Sequence, residues 1–287
     1  MTITAAGTAK LGPYTVNRMG YGAMQLAGPG VFGPPRDHDE AVAVLRQAVA
    51  AGVNHIDTSD YYGPYVVNQI IKEALHPYPE DLVLVSKLGG KRGPKAEWLG
   101  AFSPDELRAG TESNLKHLGI EQIPVVNMRS MHGIHAPAEG SLEVQLEALA
   151  KLQLEGLIGH IGLSNVTRKQ IEDGRRIVDV VCVQNAYNLA NRADDDLIDW
   201  LAGEGIAYVP FFPLGGFSPL QSAELDAVAA DLGASPMQVA LAWLLQRSPN
   251  LLLIPGTSSR GHLHENLAAA DLVLGEDSLA RLNAIAG

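Results

Sequence analysis

The sequence predicts a single-domain α/β protein that folds as a (β/α)₈ TIM barrel with a short N-terminal hairpin. Three observations lead to this fold. Short runs rich in β-branched residues alternate with longer amphipathic stretches, which is the pattern of βα units around a parallel sheet. Eight such runs can be placed, enough to close a barrel. No linker or low-complexity stretch interrupts the series, so residues 1–287 are expected to form one domain.

The strands are predicted where apolar, β-branched residues cluster between turn signals. These runs lie at residues 18–23, 53–57, 82–87, 125–129, 160–164, 180–184, 207–211 and 251–255. Before the first of them, Gly12-Pro13 in the middle of residues 10–16 predicts a small hairpin.

Helices are predicted in the longer amphipathic stretches, at residues 39–50, 103–117, 142–153, 168–177, 195–202 and 236–246. Two of them have clear starts, because Ser103-Pro104 and Ser235-Pro236 each supply an N-cap hydroxyl and a proline at the first helical position. The run Asp194-Asp195-Asp196 is also interpreted as a helix start, since carboxylates favour the positive end of the helix dipole. A metal site is not expected there, because no companion ligand cluster is visible nearby.

The composition argues against several classes of protein. Lys and Arg number 21 against 32 for Asp and Glu, and the net charge of −11 disfavours binding to a nucleic-acid backbone. The chain starts without the features of a secretory signal, and no run reaches the roughly 18 apolar residues of a membrane span. A cytoplasmic location is therefore expected. The single cysteine, Cys182, lies in an apolar run and is predicted to be a buried core residue.

One short motif points to a different fold. Gly28, Gly30 and Gly33 have the G-x-G-x-x-G spacing of a dinucleotide-binding turn, which requires a strand before the glycines and a helix that begins among them. Pro34-Pro35 follow at once, which is the wrong context for that helix. The segment is therefore predicted to be a mobile or substrate-facing loop at the mouth of the first strand.

Candidate catalytic residues are the polar side chains that end the predicted strands, because barrel enzymes place their catalytic groups there. They are Asp57, followed by Tyr62-Gly63, after the second strand, Lys87 after the third, Arg129 after the fourth and Ser164-Asn165 after the fifth. This order resembles the aldo-keto reductases, which have Asp, Tyr-Gly, Lys and Gly-x-Ser-Asn at these strand ends. The resemblance spans nearly the whole chain, and it implies that Asp57, Tyr62 and Lys87 belong to the catalytic tetrad.

These residue types suit the reduction of a carbonyl. Transfer of hydride leaves negative charge on the oxygen, so a positioned acid must deliver a proton. Tyrosine has a reference pKa of about 10, and an ammonium from Lys87 near Tyr62 would favour the phenolate and ease proton donation. Asp57 would hold Lys87 in place and favour its charged form. The alternative is a structural ion pair beside a hydrogen-bonded tyrosine.

The resemblance also implies that NADP(H) is the cofactor. Ser164 and Asn165 match the pair that binds the nicotinamide carboxamide, and Gln184 joins them from the sixth strand. Phe211 stands where the family usually has a tyrosine that stacks on the nicotinamide ring.

The segment from Ile254 to Asn266 resembles the family's site for the adenosine phosphate, where hydroxyls, an arginine and helix amides suit a 2′-phosphate. Two basic positions of the family are Gly256 and His262 here, so Arg260 must carry more of the charge. No metal is expected. The full set of implied cofactor residues is Gly22, Met24, Asp57, Ser164, Asn165, Gln184, Phe211, Phe212, Pro213, Leu214, Gly215, Gly256, Thr257, Ser258, Ser259, Arg260, His262, Glu265 and Asn266.

Arg129 departs from the family pattern, because most relatives have a histidine at the end of the fourth strand. His132, three residues further on, is the alternative candidate as a shifted replacement. The apolar run Val125-Val126 favours Arg129 as the inward-facing end of the strand, and it leaves His132 in a loop. An arginine cannot accept a proton, so its role would be electrostatic and geometric. The structural alternative is an ion pair that ties this strand to a neighbouring carboxylate.

Together with Arg129, residues 19–30 and 210–216 resemble the bacterial pyridoxal reductase branch of the family. That resemblance implies a small aldehyde substrate, pyridoxal, reduced to pyridoxine with NADPH in vitamin B6 metabolism. Two alternatives stay open, because one barrel hosts many activities. The first is a general aldehyde or ketone reductase with another substrate. The second is a cofactor-binding regulatory subunit with little turnover, against which Tyr62 and Lys87 argue.

Overall fold

The computed structural model describes residues 3–134, 136–216 and 220–285. The strands, in chain order, are Thr8–Leu11 (β1), Tyr14–Asn17 (β2), Tyr21–Gly22 (β3), His55–Asp57 (β4), Val83–Leu88 (β5), Gly90–Arg92 (β6), Trp98–Gly100 (β7), Ile123–Arg129 (β8), Ile158–Ser164 (β9), Val180–Gln184 (β10) and Ala207–Tyr208 (β11). A parallel sheet with the order β11-β10-β9-β8-β5-β4-β3 forms the wall of the predicted barrel, and the antiparallel pair β1-β2 is the predicted hairpin.

The eighth predicted strand, residues 251–255, closes the barrel through separate backbone hydrogen bonds. The amide of Leu252 donates to the carbonyl of Tyr208 at 2.9 Å, which joins the segment to β11. The amide of Leu253 donates to the carbonyl of Arg18 at 2.8 Å, which joins it to the chain just before β3. The two edges of the sheet are therefore bridged, and the (β/α)₈ fold predicted from the sequence is confirmed.

The backbone at Gly22, which ends β3, lies unusually close to the backbone at Gly256, which follows residues 251–255. A Cβ atom added to Gly256 would lie 2.7 Å from the carbonyl oxygen of Gly22, and one added to Gly22 would lie 2.5 Å from that of Ile254. Only glycine fits at both positions, because any side chain would push the strands apart. This contact sets the position of Gly22 and Gly256 in the wall of the cavity described below.

The apolar core has two layers, one inside the barrel and one between the barrel and its helices. The inner layer includes Val83, Val85 and Val125, and the hairpin adds Leu11 to it, so β1-β2 covers one end of the barrel. Cys182 belongs to this layer and is fully buried, as predicted. Burial raises the pKa of its thiol to about 12, so the thiol stays protonated and unreactive. The outer layer joins the opposite faces of the strands to the helices.

The helices lie mainly between successive strands, on the outside of the barrel. In chain order they are His38–Ala50 (α1), Val66–Leu75 (α2), Pro104–Leu118 (α3), Glu143–Leu154 (α4), Arg168–Gly174 (α5), Asp195–Gly203 (α6), Ala223–Leu232 (α7), Pro236–Arg247 (α8), Arg260–Ala268 (α9) and Glu276–Asn283 (α10). Both predicted capping signals are confirmed, because the hydroxyls of Ser103 and Ser235 each accept a backbone amide in a full capping box.

The aspartate run begins a helix as predicted, since Asp195 and Asp196 lie in the first turn of α6. The carboxylate of Asp194 does not cap that helix and instead accepts hydrogen bonds from Tyr208 and Asn185, both at 2.8 Å. It therefore links the start of α6 to β11 and to the residue after β10.

The glycine-rich segment forms a loop after β3, as predicted. A single 3₁₀ turn, Pro29–Val31, lies within it, and the next helix, α1, begins only at His38. In the described part of the chain, no single helix combines the length and apolar character needed to cross a membrane; only α7 and α8 taken together, with a 91° bend between them, meet that test.

Candidate active site

A cavity of about 290 Å³ opens at the ends of the parallel strands where the candidate catalytic residues were expected. All four of those residues, Asp57, Tyr62, Lys87 and Arg129, line it. So do eight of the other residues predicted to bind the cofactor, namely Gly22, Met24, Gln184, Phe211, Phe212, Pro213, Leu214 and Gly256.

A buried ion pair between Asp57 and Lys87 forms the floor of this cavity. β4 and β5 are neighbours with Asp57 opposite Val85, so Lys87, two residues further along β5, points the same way and reaches the carboxylate. The ammonium also donates to the carbonyl of Thr58 at 3.1 Å, and the other carboxylate oxygen accepts from Gln184 at 2.8 Å. Both charged side chains are about 95% buried, so each depends on the other for its solvation.

Tyr62 lies beside the ion pair, and the Lys87 ammonium is 5.3 Å from the centre of its ring. Burial raises the pKa of Tyr62 well above its usual value, the nearby carboxylate of Asp57 raises it further, and the guanidinium of Arg129 lowers it. Tyr62 is therefore held in its protonated form. The sequence predicted that Lys87 would lower this pKa; in the structure the guanidinium of Arg129 lowers it, and the Lys87 ammonium is paired with Asp57.

Arg129 ends β8 and turns into the cavity. Its guanidinium donates to the hydroxyl of Ser164 at 3.4 Å and to the carbonyl of Ile134 at 3.1 Å, and it lies 5.2 Å from the centre of the Phe211 ring. Among the described residues these partners include no carboxylate, which removes the structural alternative of a simple ion pair. His132 is exposed and contacts the carbonyl of Ser141 at 3.2 Å, away from the cavity lining.

Asn165 and Gln184 each have a buried side-chain oxygen without a hydrogen-bond partner among the described residues. Gln184 lines the cavity, whereas Ser164 and Asn165 do not. Asn165 donates its amide group to the carbonyls of Ser130 and Gly133, which leaves its Oδ1 free. Gln184 donates to Asp57, which leaves its Oε1 free. A primary carboxamide offers two N–H donors, so these acceptors fit the nicotinamide group expected from the sequence.

The predicted loop 211–215 contributes aromatic and apolar walls. Phe211 and Phe212 meet edge to face with ring centres 5.2 Å apart, and both line the cavity. Phe212 has φ of +56°, a left-handed conformation that side chains rarely adopt. Of the residues predicted in this loop, only Gly215 is not part of the lining.

The predicted phosphate segment lies largely outside the cavity. Gly256 belongs to the lining, whereas the seven residues Thr257, Ser258, Ser259, Arg260, His262, Glu265 and Asn266 do not. Ser259 caps α9 by accepting from the amide of His262. Arg260 contacts Glu40, whose two carboxylate oxygens accept from its backbone amide and from its Nε, each at 2.9 Å. The basic group expected to meet a phosphate is therefore paired with a carboxylate in this structure.

Several residues of the cavity lining are absent from the set of site residues predicted from the sequence. They are Gln25, Tyr61, Trp98, Met131, Ile134, Gly216, Ile254 and Pro255. Most lie in loops beyond the strand ends or are apolar, whereas the sequence signal for the site was a polar side chain at the end of a strand. Trp98 lies on the β6-β7 hairpin, for which the turn signal Gly93-Pro94 was the available clue.

Asp60 is a buried carboxyl in the loop between Asp57 and Tyr62. Burial raises its pKa to about 7, although hydrogen bonds from Ser113 and Asn114 oppose this effect. In the unfolded chain an aspartate titrates near 3.9. The neutral form of Asp60 therefore stabilises the fold fully at acidic pH, and this contribution is lost as the pH rises through about 7.

We expect Asp60→Asn to stabilise the protein above pH 7, by about 5 °C in Tm, and to have little effect near pH 4. The reason is that an amide stays neutral where the buried carboxyl must ionise. The measurement is Tm by circular dichroism for both proteins between pH 4 and 9. Their difference should grow up to about pH 7 and then level off. A difference that stays constant with pH would contradict the assignment.

Comparison with known proteins bears on both the fold and the site. A sequence model described as the aldo/keto reductase family matches residues 18–286. The pyridoxine 4-dehydrogenase of Escherichia coli is 63% identical over 282 residues, which are 98% of this chain and 99% of that protein.

Two solved structures show the same architecture. A thermostable aldo-keto reductase crystallised with the inhibitor epalrestat superimposes with a TM-score of 0.80 at 29% identity, covering 97% of this chain and 99% of the other. An aldo/keto reductase from Klebsiella pneumoniae, in complex with NADP and acetate, has a TM-score of 0.77 at 25% identity, covering 96% of this chain and 94% of the other.

Proposed function

The chain belongs to the aldo/keto reductase family, and from this premise we propose that it reduces an aldehyde with NADPH, and that the aldehyde is pyridoxal, with pyridoxine as the product. The observation that carries the reaction type is the buried Asp57–Lys87 pair beside Tyr62 in a cavity at the strand ends. The substrate is supported by the 63% identical relative, whose name describes the reverse oxidation of pyridoxine. We further propose that residues 1–287 act as one domain in the cytoplasm.

We propose that NADP(H) binds with its nicotinamide in this cavity. The free acceptors Asn165 Oδ1 and Gln184 Oε1 would take the two carboxamide N–H groups, and Phe211 would lie against the ring. An aldo/keto reductase of this fold was crystallised with NADP, which supports the choice of cofactor. When bound, NADPH supplies the hydride that reduces the carbonyl carbon.

Tyr62 is the proposed proton donor. As hydride reaches the carbonyl carbon, the electron pair of the C=O double bond moves to oxygen, and the Tyr62 hydroxyl transfers its proton to that oxygen. Burial and Asp57 keep Tyr62 protonated before the reaction. The positive charge of Arg129 lowers the cost of the phenolate that the transfer leaves behind. Water then returns a proton to Tyr62.

Asp57 and Lys87 act by holding charge in a fixed place. The carboxylate receives Lys87 on one oxygen and Gln184 on the other, so neither charged group needs to rearrange when the phenolate forms. Gln184 thereby links the ion pair to the proposed carboxamide site. In this proposal the proton donor and the nicotinamide would both lie against one connected set of residues at the strand ends.

The proposed function is tested by the consumption of NADPH across a panel of pyridoxal, pyridoxal phosphate, simple aldehydes and ketones. We expect the highest kcat/KM for pyridoxal. A higher value for simple aldehydes would replace pyridoxal by a general aldehyde substrate. Tight NADPH binding without turnover of any compound would instead favour a cofactor-binding regulatory subunit.

Arg260 provides a test of the cofactor preference. We propose that the 2′-phosphate of NADPH takes Arg260 from Glu40, so Arg260→Ala should weaken NADPH binding by about tenfold or more and NADH binding far less. The measurement is the Kd of each cofactor by fluorescence titration. Arg281→Ala is the matched control, because Arg281 is also exposed and paired with carboxylates, Glu224 and Asp231. Equal losses for both cofactors would place Arg260 outside the phosphate site.

A further inference from the structure

Arg92, on β6, joins the glycine-rich loop after β3 to the turn of the β6-β7 hairpin. Its guanidinium donates to the carbonyls of Val31 at 2.7 Å and Gly30 at 3.0 Å, in the glycine-rich loop after β3. It also donates to the carbonyl of Ala96 at 2.7 Å, in the turn between β6 and β7. Gly30 and Val31 lie 62 and 61 residues away in the chain, so one side chain ties together two separate segments.

All three of these carbonyls belong to residues with a left-handed backbone. The φ angles are +69° at Gly30, +57° at Val31 and +63° at Ala96. Glycine adopts this conformation freely, but it is unfavourable for alanine and rare for a β-branched valine. Such conformations persist only where the surroundings hold them, and they concentrate at functional sites. The planar, multi-donor guanidinium of Arg92 is the group that holds these.

Arg92 also fixes the orientation of Trp98. The two residues are opposite each other in the β6-β7 register, and the guanidinium carbon lies 4.0 Å from the centre of the Trp98 ring. A cation at this distance from an indole face is favourably placed for a cation–π contact. The same guanidinium lies 5.3 Å from the centre of the Phe32 ring in the glycine-rich loop. Trp98 is therefore held from outside the cavity that it lines.

Trp98 lies on the same side of the cavity as the proposed proton donor. Its ring meets Tyr61 edge to face at 5.8 Å, and Tyr61 meets Tyr62 edge to face at 5.5 Å. A substrate whose carbonyl reaches the Tyr62 hydroxyl would therefore have its remaining atoms near the indole. Flat aromatic rings stack favourably on such a surface in offset or edge-on geometry.

We propose that Arg92 is a positioning residue that holds Trp98 as one wall of the substrate site, and that Trp98 selects aldehydes whose carbonyl is attached to a flat aromatic ring. This inference rests on the proposed function, because it concerns the aldehyde that Tyr62 would protonate. The three glycines of the glycine-rich loop do not line the cavity. In this proposal the loop supplies the carbonyls to which Arg92 donates.

The test compares benzaldehyde with cyclohexanecarbaldehyde, which have the same number of carbon atoms but differ in whether the ring is flat. In Trp98→Ala and Arg92→Ala, the ratio of kcat/KM for benzaldehyde to that for cyclohexanecarbaldehyde should fall about tenfold, mainly through KM for benzaldehyde. Arg92→Lys keeps the positive charge but loses the planar set of guanidinium N–H donors. Its ratio should therefore lie between that of Arg92→Ala and that of the wild type.

Arg168→Ala is the matched control, because Arg168 covers Trp200 at 4.5 Å on the outer helices, away from the cavity lining. It should leave the ratio unchanged. A second measurement reports how firmly the β6-β7 hairpin is held. It is the rate of limited trypsin cleavage after Lys95, an exposed residue of the β6-β7 turn. Cleavage there should be at least several-fold faster in Arg92→Ala than in the wild type and the Arg168→Ala control.

Equal losses of kcat/KM for both aldehydes in Trp98→Ala would overturn the role of Trp98 in selection. An unchanged ratio and unchanged cleavage in Arg92→Ala would overturn the positioning role of Arg92. If the wild-type enzyme reduces benzaldehyde but not pyridoxal, pyridoxal is wrong as the proposed substrate. The comparison of the two ring aldehydes still tests the roles of Arg92 and Trp98. A wild-type enzyme that reduces no aldehyde overturns both proposals.

Discussion

Replacing Tyr62 by phenylalanine should lower kcat for aldehyde reduction by about a thousandfold while changing the Kd of NADPH by less than about twofold. The hydroxyl is needed only when negative charge develops on the carbonyl oxygen, so its loss affects the transition state and not cofactor binding. The aromatic ring that faces Lys87 is kept in the variant, so the geometry of the cavity should be preserved. The measurements are single-turnover NADPH oxidation and NADPH binding by fluorescence titration.

Tyr61→Phe is the matched comparison, because it removes the neighbouring hydroxyl and keeps the ring that contacts Trp98. The Tyr61 hydroxyl has no hydrogen-bond partner among the described residues, and the loss in kcat should stay below about threefold. Turnover near the wild-type rate in Tyr62→Phe would reject the proton-donor assignment. A large loss in Tyr61→Phe alone would transfer the role to Tyr61.

The barrel and its catalytic end could be predicted because both depend on patterns local in the chain. An apolar run followed by Asp57 or Lys87 indicates a strand and its end without any knowledge of the partner strand. Parallel pairing then brings such ends together, as the register of Asp57 with Val85 shows. The ends of the last strand, residues 251–255, are less sharply defined, because this segment pairs with its neighbours through isolated bridges.

The remaining parts of the site depend on contacts between distant segments, which no local pattern reveals. Arg260 pairs with Glu40 across 220 residues of sequence, so its partner could not be anticipated from the segment around it. The same holds for Arg92, whose partners lie in the glycine-rich loop. Trp98 was missed because its hairpin is an insertion between a strand and a helix, where turns and not periodic patterns define the structure.

Arg129→His should reduce kcat/KM for pyridoxal by roughly ten- to a hundredfold more than kcat/KM for benzaldehyde. Pyridoxal carries a ring hydroxyl beside its aldehyde, and this hydroxyl can ionise. The Arg129 guanidinium donates to the hydroxyl of Ser164 and to the carbonyl of Ile134, which fixes its orientation and leaves further N–H groups for a substrate oxygen. A charge-assisted hydrogen bond to the phenolate would orient the aldehyde toward Tyr62.

A histidine at this position is shorter and is mostly neutral at pH 8, so it offers neither the reach nor the fixed charge of the guanidinium. 2-Hydroxybenzaldehyde and benzaldehyde give the sharpest comparison, because they differ only in the hydroxyl beside the aldehyde. The variant should discriminate against 2-hydroxybenzaldehyde as it does against pyridoxal, and Arg129→Lys, which keeps the charge, should recover part of the loss.

Because Arg129 also lowers the pKa of Tyr62, a smaller loss common to all aldehydes is expected in Arg129→His. If the loss is the same with and without the neighbouring hydroxyl, Arg129 acts on Tyr62 alone and does not recognise the substrate.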